Sequence, residues 1–214
     1  MTKDEAQSAV ADRMAFYEAV LRIQVILSMM RRSPINPVDI LCEYYDRDSK
    51  TFEILLRHGE HVAQKALDAA GKVSYLNPDL KFIEEAAILH DIGIFKTNTP
   101  QLGCFGVHPY VCHGFLGREI LEKAGLPEHA LVCDRHMGTG ISAEEIAKSG
   151  LPLPARDMIP VSIEEQVICY ADKFFSKNGK LIVKINPEKE IMRTLESYGN
   201  GSAEKFRSWM IIFE

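Results

Sequence analysis

The segment AILHDIGIFK, residues 87–96, sets His90 and Asp91 side by side at the end of an apolar run. A polar pair in that position is costly unless a hydrogen bond, an ion pair or a metal ion satisfies it. Asp172, in VICYADKFF, is a second carboxylate placed directly after apolar residues. Imidazoles accompany them along the chain: His58 and His61 in LLRHGEHVAQKAL, His113 in YVCHGFLGREIL, His136 in CDRHMGTG. Two carboxylates that read as buried, with imidazoles spread over other segments, are more polar groups than an ordinary core can pair. A divalent metal resolves the conflict, because imidazole nitrogens and carboxylate oxygens are its natural ligands and its charge keeps the acids ionised. The ligand pattern alone leaves His61 in competition with His58, and His108 with His113.

The elements that must carry these side chains read as helices. Residues 4–32 repeat apolar positions at helical spacing (Met14, Tyr17, Leu21, Val25) and stop at RRSPINP. This segment is expected to be an N-terminal helical extension over residues 1–35, packed on the remainder of the chain or on a second copy, which would make a homodimer. Residues 36–214 are expected to form the main domain. Its helical segments are PVDILCEYY, KTFEILLRHGEHVAQKALDAAGK, DLKFIEEAAILHDIG with Asp79 as N-cap, HPYVCHGFLGREILEKAG and PEHALVCDRHMG. ISAEEIAKSG, SIEEQVICYADKFFSK, NPEKEIMRTLESYG and SAEKFRSWMIIFE follow. Only KLIVKI, 180–185, looks like a strand. The expected fold class is all-α, a compact helical bundle. Gly114 and Gly117 would let two helices approach closely.

Composition bounds the function. Hydrophobic residues make up 46% and charged residues 26% of 214, with a net charge of -5, which argues against a nucleic-acid polymer as the main partner. The apolar stretch FYEAVLRIQVILSMM is broken by Glu18, Arg22 and Gln24, so no membrane span is expected. Five cysteines (Cys42, Cys104, Cys112, Cys133, Cys169) form no close pair and suit reduced thiols. With an opening MTKDEAQSAVADR that lacks a signal-peptide layout, a cytoplasmic protein is the expectation.

The order RHGEHVA, AILHDIG, CHGFLGREIL, RHMGTG and YADK, over about residues 50–180, resembles the HD-domain superfamily of metal-dependent phosphohydrolases. The added histidines and YADK are similar to its bacterial branch that hydrolyses dinucleoside polyphosphates symmetrically. The resemblance implies that His58, His90, Asp91 and Asp172 hold one metal ion, and that His113 and His136 hold a second, with Asp91 bridging. It favours His58 over His61, since the valine of HVA usually follows the ligand by four residues. It implies a catalytic role for His90 and Asp91, and one or two divalent ions among Fe, Mn, Zn, Ni and Co. Water activated by the metal would cleave a phosphoester or phosphoanhydride of a small phosphorylated substrate, a nucleotide. Many family members place a lysine directly after HDIG, where this chain has Ile94. Lys96, Arg135, Lys173, His108 and Arg118 are the candidates left to meet the phosphate. His129, near a helix start, reads as a surface residue.

Two other readings use the same residues. Cys104, His108, Cys112, Cys133 and His136 could form a structural zinc site, although Cys104 and Cys112 lack the tight spacing such sites favour. An HD fold could also bind a nucleotide as a sensory module without turning it over.

Overall fold

The structure, a computed structural model, describes residues 35–177, 179–181, 184–198 and 201–214. The expected N-terminal helix lies outside these residues. Residues Asn36–Glu214 form one compact unit, and the regular elements of its described part are helices apart from two pairs of two-residue strands. The fold is all-α, as the apolar spacing implies.

The helices are α1 (Pro37–Cys42), α2 (Lys50–Lys72), α3 (Leu80–Leu89), α4 (His113–Lys123) and α5 (Pro127–Arg135). They continue as α6 (Ala143–Ser149), α7 (Ile163–Asp172), α8 (Glu188–Tyr198) and α9 (Ser202–Phe213). Strand β1 (Asn98–Thr99) pairs antiparallel with β2 (Cys104–Phe105), and β3 (Phe175–Ser176) with β4 (Lys184–Ile185). Of the strand expected over 180–185, Lys184–Ile185 form β4 among the described residues, and its partner lies just past α7.

Local signals explain where the helices begin. Ser49 accepts from the Phe52 amide, Asp79 from that of Phe82 and Ser162 from that of Glu165, each an N-cap closing an orphan donor. Helix α2 buries Phe52, Leu55, Gly59, Val62, Ala66 and Ala70, a stripe of 3.6-residue period facing α3 and α7. Helix α7 is buried at every residue from Val167 to Asp172, so its apolar run is a central rod rather than an amphipathic surface helix. Around it lie Val62, Ala66, Ile83, Val132, Phe206 and Trp209. Tyr170 stacks on Phe206 at 5.2 Å and donates its hydroxyl to Glu214 at 2.7 Å, tying α7 to the end of α9.

Several helices stop earlier than their apolar patterns suggest, and each stop falls on a residue of interest. Helix α3 ends at Leu89, with His90 as its cap and Asp91 turned out of helical geometry before a short 3-10 segment, Ile92–Lys96. Helix α4 begins at His113, after a 3-10 turn at Tyr110–Cys112. Helix α5 ends with His136 as its cap, and Asp172 is the last residue of α7. His58 alone projects from mid-helix.

Small residues hold these ends together. A Cβ on Gly93 would lie 2.2 Å from the His113 carbonyl oxygen and 2.4 Å from the Gly117 amide. A Cβ on Gly114 would lie 2.7 Å from the Cys133 carbonyl. These are backbone atoms and cannot rotate away, so the turn after Asp91, the start of α4 and the end of α5 close only around glycine. Nearby, the fully buried Asp134 accepts from Arg118 at 2.9 Å and from Arg156 at 2.8 Å, locking α5 to α4 and to the loop before α7. Gly93→Ala should therefore cost about 3 kcal/mol, about 10 °C in Tm, by overpacking. A thermal melt checks it, and an unchanged Tm would show that the turn can give way.

Candidate metal centre

The four helix ends and His58 meet at one buried place. His58, His90, Asp91, His113 and His136 are each 3% exposed or less, and Asp172 is 9% exposed. His58 Nε2 lies 3.3 Å from His90 Nε2, 3.0 Å from Asp172 Oδ1 and 3.3 Å from Asp91 Oδ2. His90 Nε2 lies 3.1 Å from Asp91 Oδ2 and 3.5 Å from Asp172 Oδ1. The other oxygen, Asp91 Oδ1, is 3.2 Å from His113 Nε2 and 3.8 Å from His136 Nε2, and those two nitrogens face each other at 3.0 Å. Asp91 therefore stands between two donor groups, one oxygen toward each.

The tautomers show what the cluster lacks. His90 Nδ1 donates to the Ala87 carbonyl at 2.5 Å, His113 Nδ1 to Tyr110 at 2.7 Å and His136 Nδ1 to Cys133 at 2.8 Å. A carbonyl only accepts, so the ring hydrogen is on Nδ1 and the Nε2 of a neutral ring is a bare lone pair. Bare nitrogens at 3.0 Å from each other and from carboxylate oxygens repel unless a positive charge lies between them. Donors bound about 2.1 Å from a shared ion stand about 3.0 to 3.4 Å apart, the spacing of most pairs here, with His90–Asp172 at 3.5 Å and His136–Asp91 at 3.8 Å somewhat wider. The donor set thus fits a divalent ion at His58, His90, Asp91 and Asp172, and a further one at Asp91, His113 and His136. Carbonyl partners on Nδ1 are the usual device that fixes a ligating ring. The C-terminal ends of α3, α5 and α7 add partial negative charge that favours a cation.

Two lysines complete the electrostatics. Lys173 Nζ donates to Asp172 Oδ2 at 2.7 Å and to the His136 carbonyl at 3.0 Å, which leaves Asp172 Oδ1 for the cluster. Lys177, 8% exposed, places Nζ 2.5 Å from Asp91 Oδ2 and 3.0 Å from His58 Nε2. Burial raises the pKa of both carboxyls, but His90 and Lys177 beside Asp91, and Lys173 beside Asp172, outweigh it and hold both well below the usual range. Burial disfavours charge on His90 also, yet Asp91 and Asp172 override it and raise that ring to about 9. Burial and the Lys177 charge push His58 down to about 4.

A cavity of about 380 Å³ opens onto the cluster. Tyr110, His113, His136, Asp172, Lys173 and Lys177 form its polar floor, while Ile191, Leu195 and Tyr198 of α8 form an apolar wall. Other expected contacts lie elsewhere. Arg135 is not on the cavity, because its guanidinium is taken by both oxygens of Glu165, at 3.0 and 2.9 Å. Lys96 and His108 are paired through their backbones at the rim loop, and neither side chain lines the cavity. Arg118 serves Asp134. His61 is exposed, with Nδ1 on the Arg57 carbonyl, and does not reach the cluster. His129 is not a surface residue: it is 1% exposed, edge-on to Phe82 and 3.4 Å from Glu85. Lys177 was not singled out by sequence; it follows Asp172 by five residues, with no motif to mark it.

The cysteines do not gather with the histidines as a zinc site would require. Cys133 Sγ faces the Leu89 carbonyl at 3.4 Å, Cys112 faces Pro152, and Cys104 faces Leu102.

The sequence model of the family described as HD domain matches residues 43–176. A tRNA (cytidine(56)-2'-O)-methyltransferase of Picrophilus torridus is 33% identical over 133 residues, 62% of this chain and 34% of that protein. The same enzyme of Thermoplasma volcanium is 30% identical over 145 residues, 67% of this chain and 37% of the relative. An uncharacterized protein of Methanocaldococcus jannaschii is 36% identical over 95 residues, 44% of this chain and 48% of that one. The chain thus spans about a third of the length of the two methyltransferases it matches. No solved structure matches it.

Elemental analysis of chelator-free protein separates the two metal readings. Bound metal should survive the Cys104→Ser, Cys133→Ser double substitution and be lost from His90→Ala; the reverse pattern would assign the metal to the thiols.

Proposed function

The chain belongs to the HD domain family, and from that premise we propose that it is a metal-dependent phosphohydrolase acting on a phosphoester or phosphoanhydride of a nucleotide. The observation that carries the proposal is Asp91, buried between two groups of imidazoles with one oxygen turned to each. Ions at those donors would neutralise phosphate oxygens and make water acidic enough to attack phosphorus.

The protein's own groups do the positioning. Asp91 and His90 hold the reacting centre, and the carbonyls of Ala87, Tyr110 and Cys133 keep three rings turned inward. Lys173 fixes Asp172 by occupying its outer oxygen. The cavity takes the phosphate at its polar floor and the nucleoside against Ile191, Leu195 and Tyr198. Holding nucleophile and phosphorus in line in a partly dry site supplies much of the rate. The helix that forms this wall, Glu188–Tyr198, lies beyond the matched residues 43–176.

A second reading follows from the relatives, which are named for modifying tRNA. A phosphate carried on RNA rather than on a free nucleotide would use the same floor, although the net charge of -5 gives little general attraction for a polyanion.

A panel of nucleoside mono-, di- and triphosphates, cyclic nucleotides, dinucleoside polyphosphates and short RNAs with terminal or cyclic phosphates, with added Mn or Fe, tests both readings. At least one should turn over, and Asp91→Ala and His90→Ala should each lose on the order of 10³-fold in kcat/KM. Turnover retained in both variants would contradict the proposal, and no turnover of any member would point to a binding module.

A further inference from the structure

We propose, resting on the reading above, that Lys177 is the residue that grips the substrate's phosphate, and that it does so after surrendering Asp91 and His58 to a metal ion. Its ammonium lies against Asp91 Oδ2 and His58 Nε2, the same two atoms that belong to the first donor group. A lone pair on His58 Nε2 serves one partner at a time. An ion at those donors would also face a like charge at close range in a buried setting, where screening is weak. The ammonium and the ion therefore exclude each other.

The place to which Lys177 moves is the adjoining cavity, whose polar floor it already helps to form. Lysine carries its charge on a flexible four-carbon stem, which suits such a swing. Among the described residues that line the cavity, the cations are Lys173 and Lys177. Lys173 is held at Asp172 and at the His136 carbonyl, and that second contact ties it to the end of α5. Lys177 is the cation that a bound ion would set free. The position directly after HDIG offers no alternative, since Ile94 is fully buried there, and Lys96 is off the cavity. The positive charge comes instead from the chain after α7.

The test uses the full chain and does not depend on turnover. Mn²⁺ binding is measured by calorimetry on wild type and on Lys177→Met, which keeps the stem and removes the charge. Inorganic phosphate is then titrated into the Mn²⁺-loaded proteins. The variant should bind Mn²⁺ ~10-fold more tightly, because a competitor has been removed. It should bind phosphate ~10-fold more weakly, because a charged donor has been lost. Lys177→Gln provides the same comparison should the Met variant aggregate. Weaker Mn²⁺ binding in the variants would overturn the exclusion, and unchanged phosphate affinity would overturn the grip. A wild-type chain that binds no Mn²⁺ would defeat the metal reading itself, and this inference with it.

Discussion

Lone pairs pointing at lone pairs are the constraint around which this molecule is arranged. Three of the four clustered histidines spend their Nδ1 hydrogen on a carbonyl three residues earlier, so the Nε2 of each, when its ring is neutral, presents a lone pair to the centre. There they meet one another and the oxygens of Asp91 and Asp172 at about hydrogen-bond distance, and the hydrogens offered to them come from the ammonium groups of Lys173 and Lys177 and from a charged His90 ring. Left alone, such a cluster is an electrostatic liability buried in a core. A cation turns it into a binding site. The position of Lys177, the raised pKa of His90 and the depressed carboxyls are the protein's response to the same demand.

The fold supplies this geometry through its helix ends. Asp172 closes α7, His90 and His136 cap α3 and α5, and His113 opens α4. A side chain at a helix end can leave the cylinder and reach inward, while carbonyls of the last turn of α3 and α5, and that of Tyr110 before α4, accept the ring hydrogens. The cost is close backbone approach, met by Gly93, Gly114 and Gly117. Helix α7 is buried from Val167 to Asp172 and delivers Asp172 to the centre from the core side.

Much of this was legible in the sequence, for physical reasons. Helical periodicity, the Ser49 and Asp79 caps and the apolar run before His90 are local signals, and α2 spans the expected residues 50–72. Carboxylates after apolar runs signalled burial before any coordinates. What failed was non-local. The helix stops at Leu89 and Asp172 fall at the cluster, with no proline or glycine at the cap itself to announce them. Arg135 reads as a free cation until its partner Glu165, thirty residues away, is seen. His129 sits beside Glu128 near a helix start yet packs on Phe82 from another helix. Lys177 carries no motif, and only the short β3–β4 pairing after α7 shows where its segment goes.

The relatives named as tRNA methyltransferases extend well beyond the matched segment, so their name describes proteins about three times as long as the shared part. The buried cluster is the feature that speaks for this segment itself. The most direct measurement is anomalous diffraction from crystals of the Mn²⁺-loaded protein. The account predicts a peak within coordination range of His58, His90, Asp91 and Asp172. A map with no peak between those four side chains, at full Mn²⁺ loading, would contradict it.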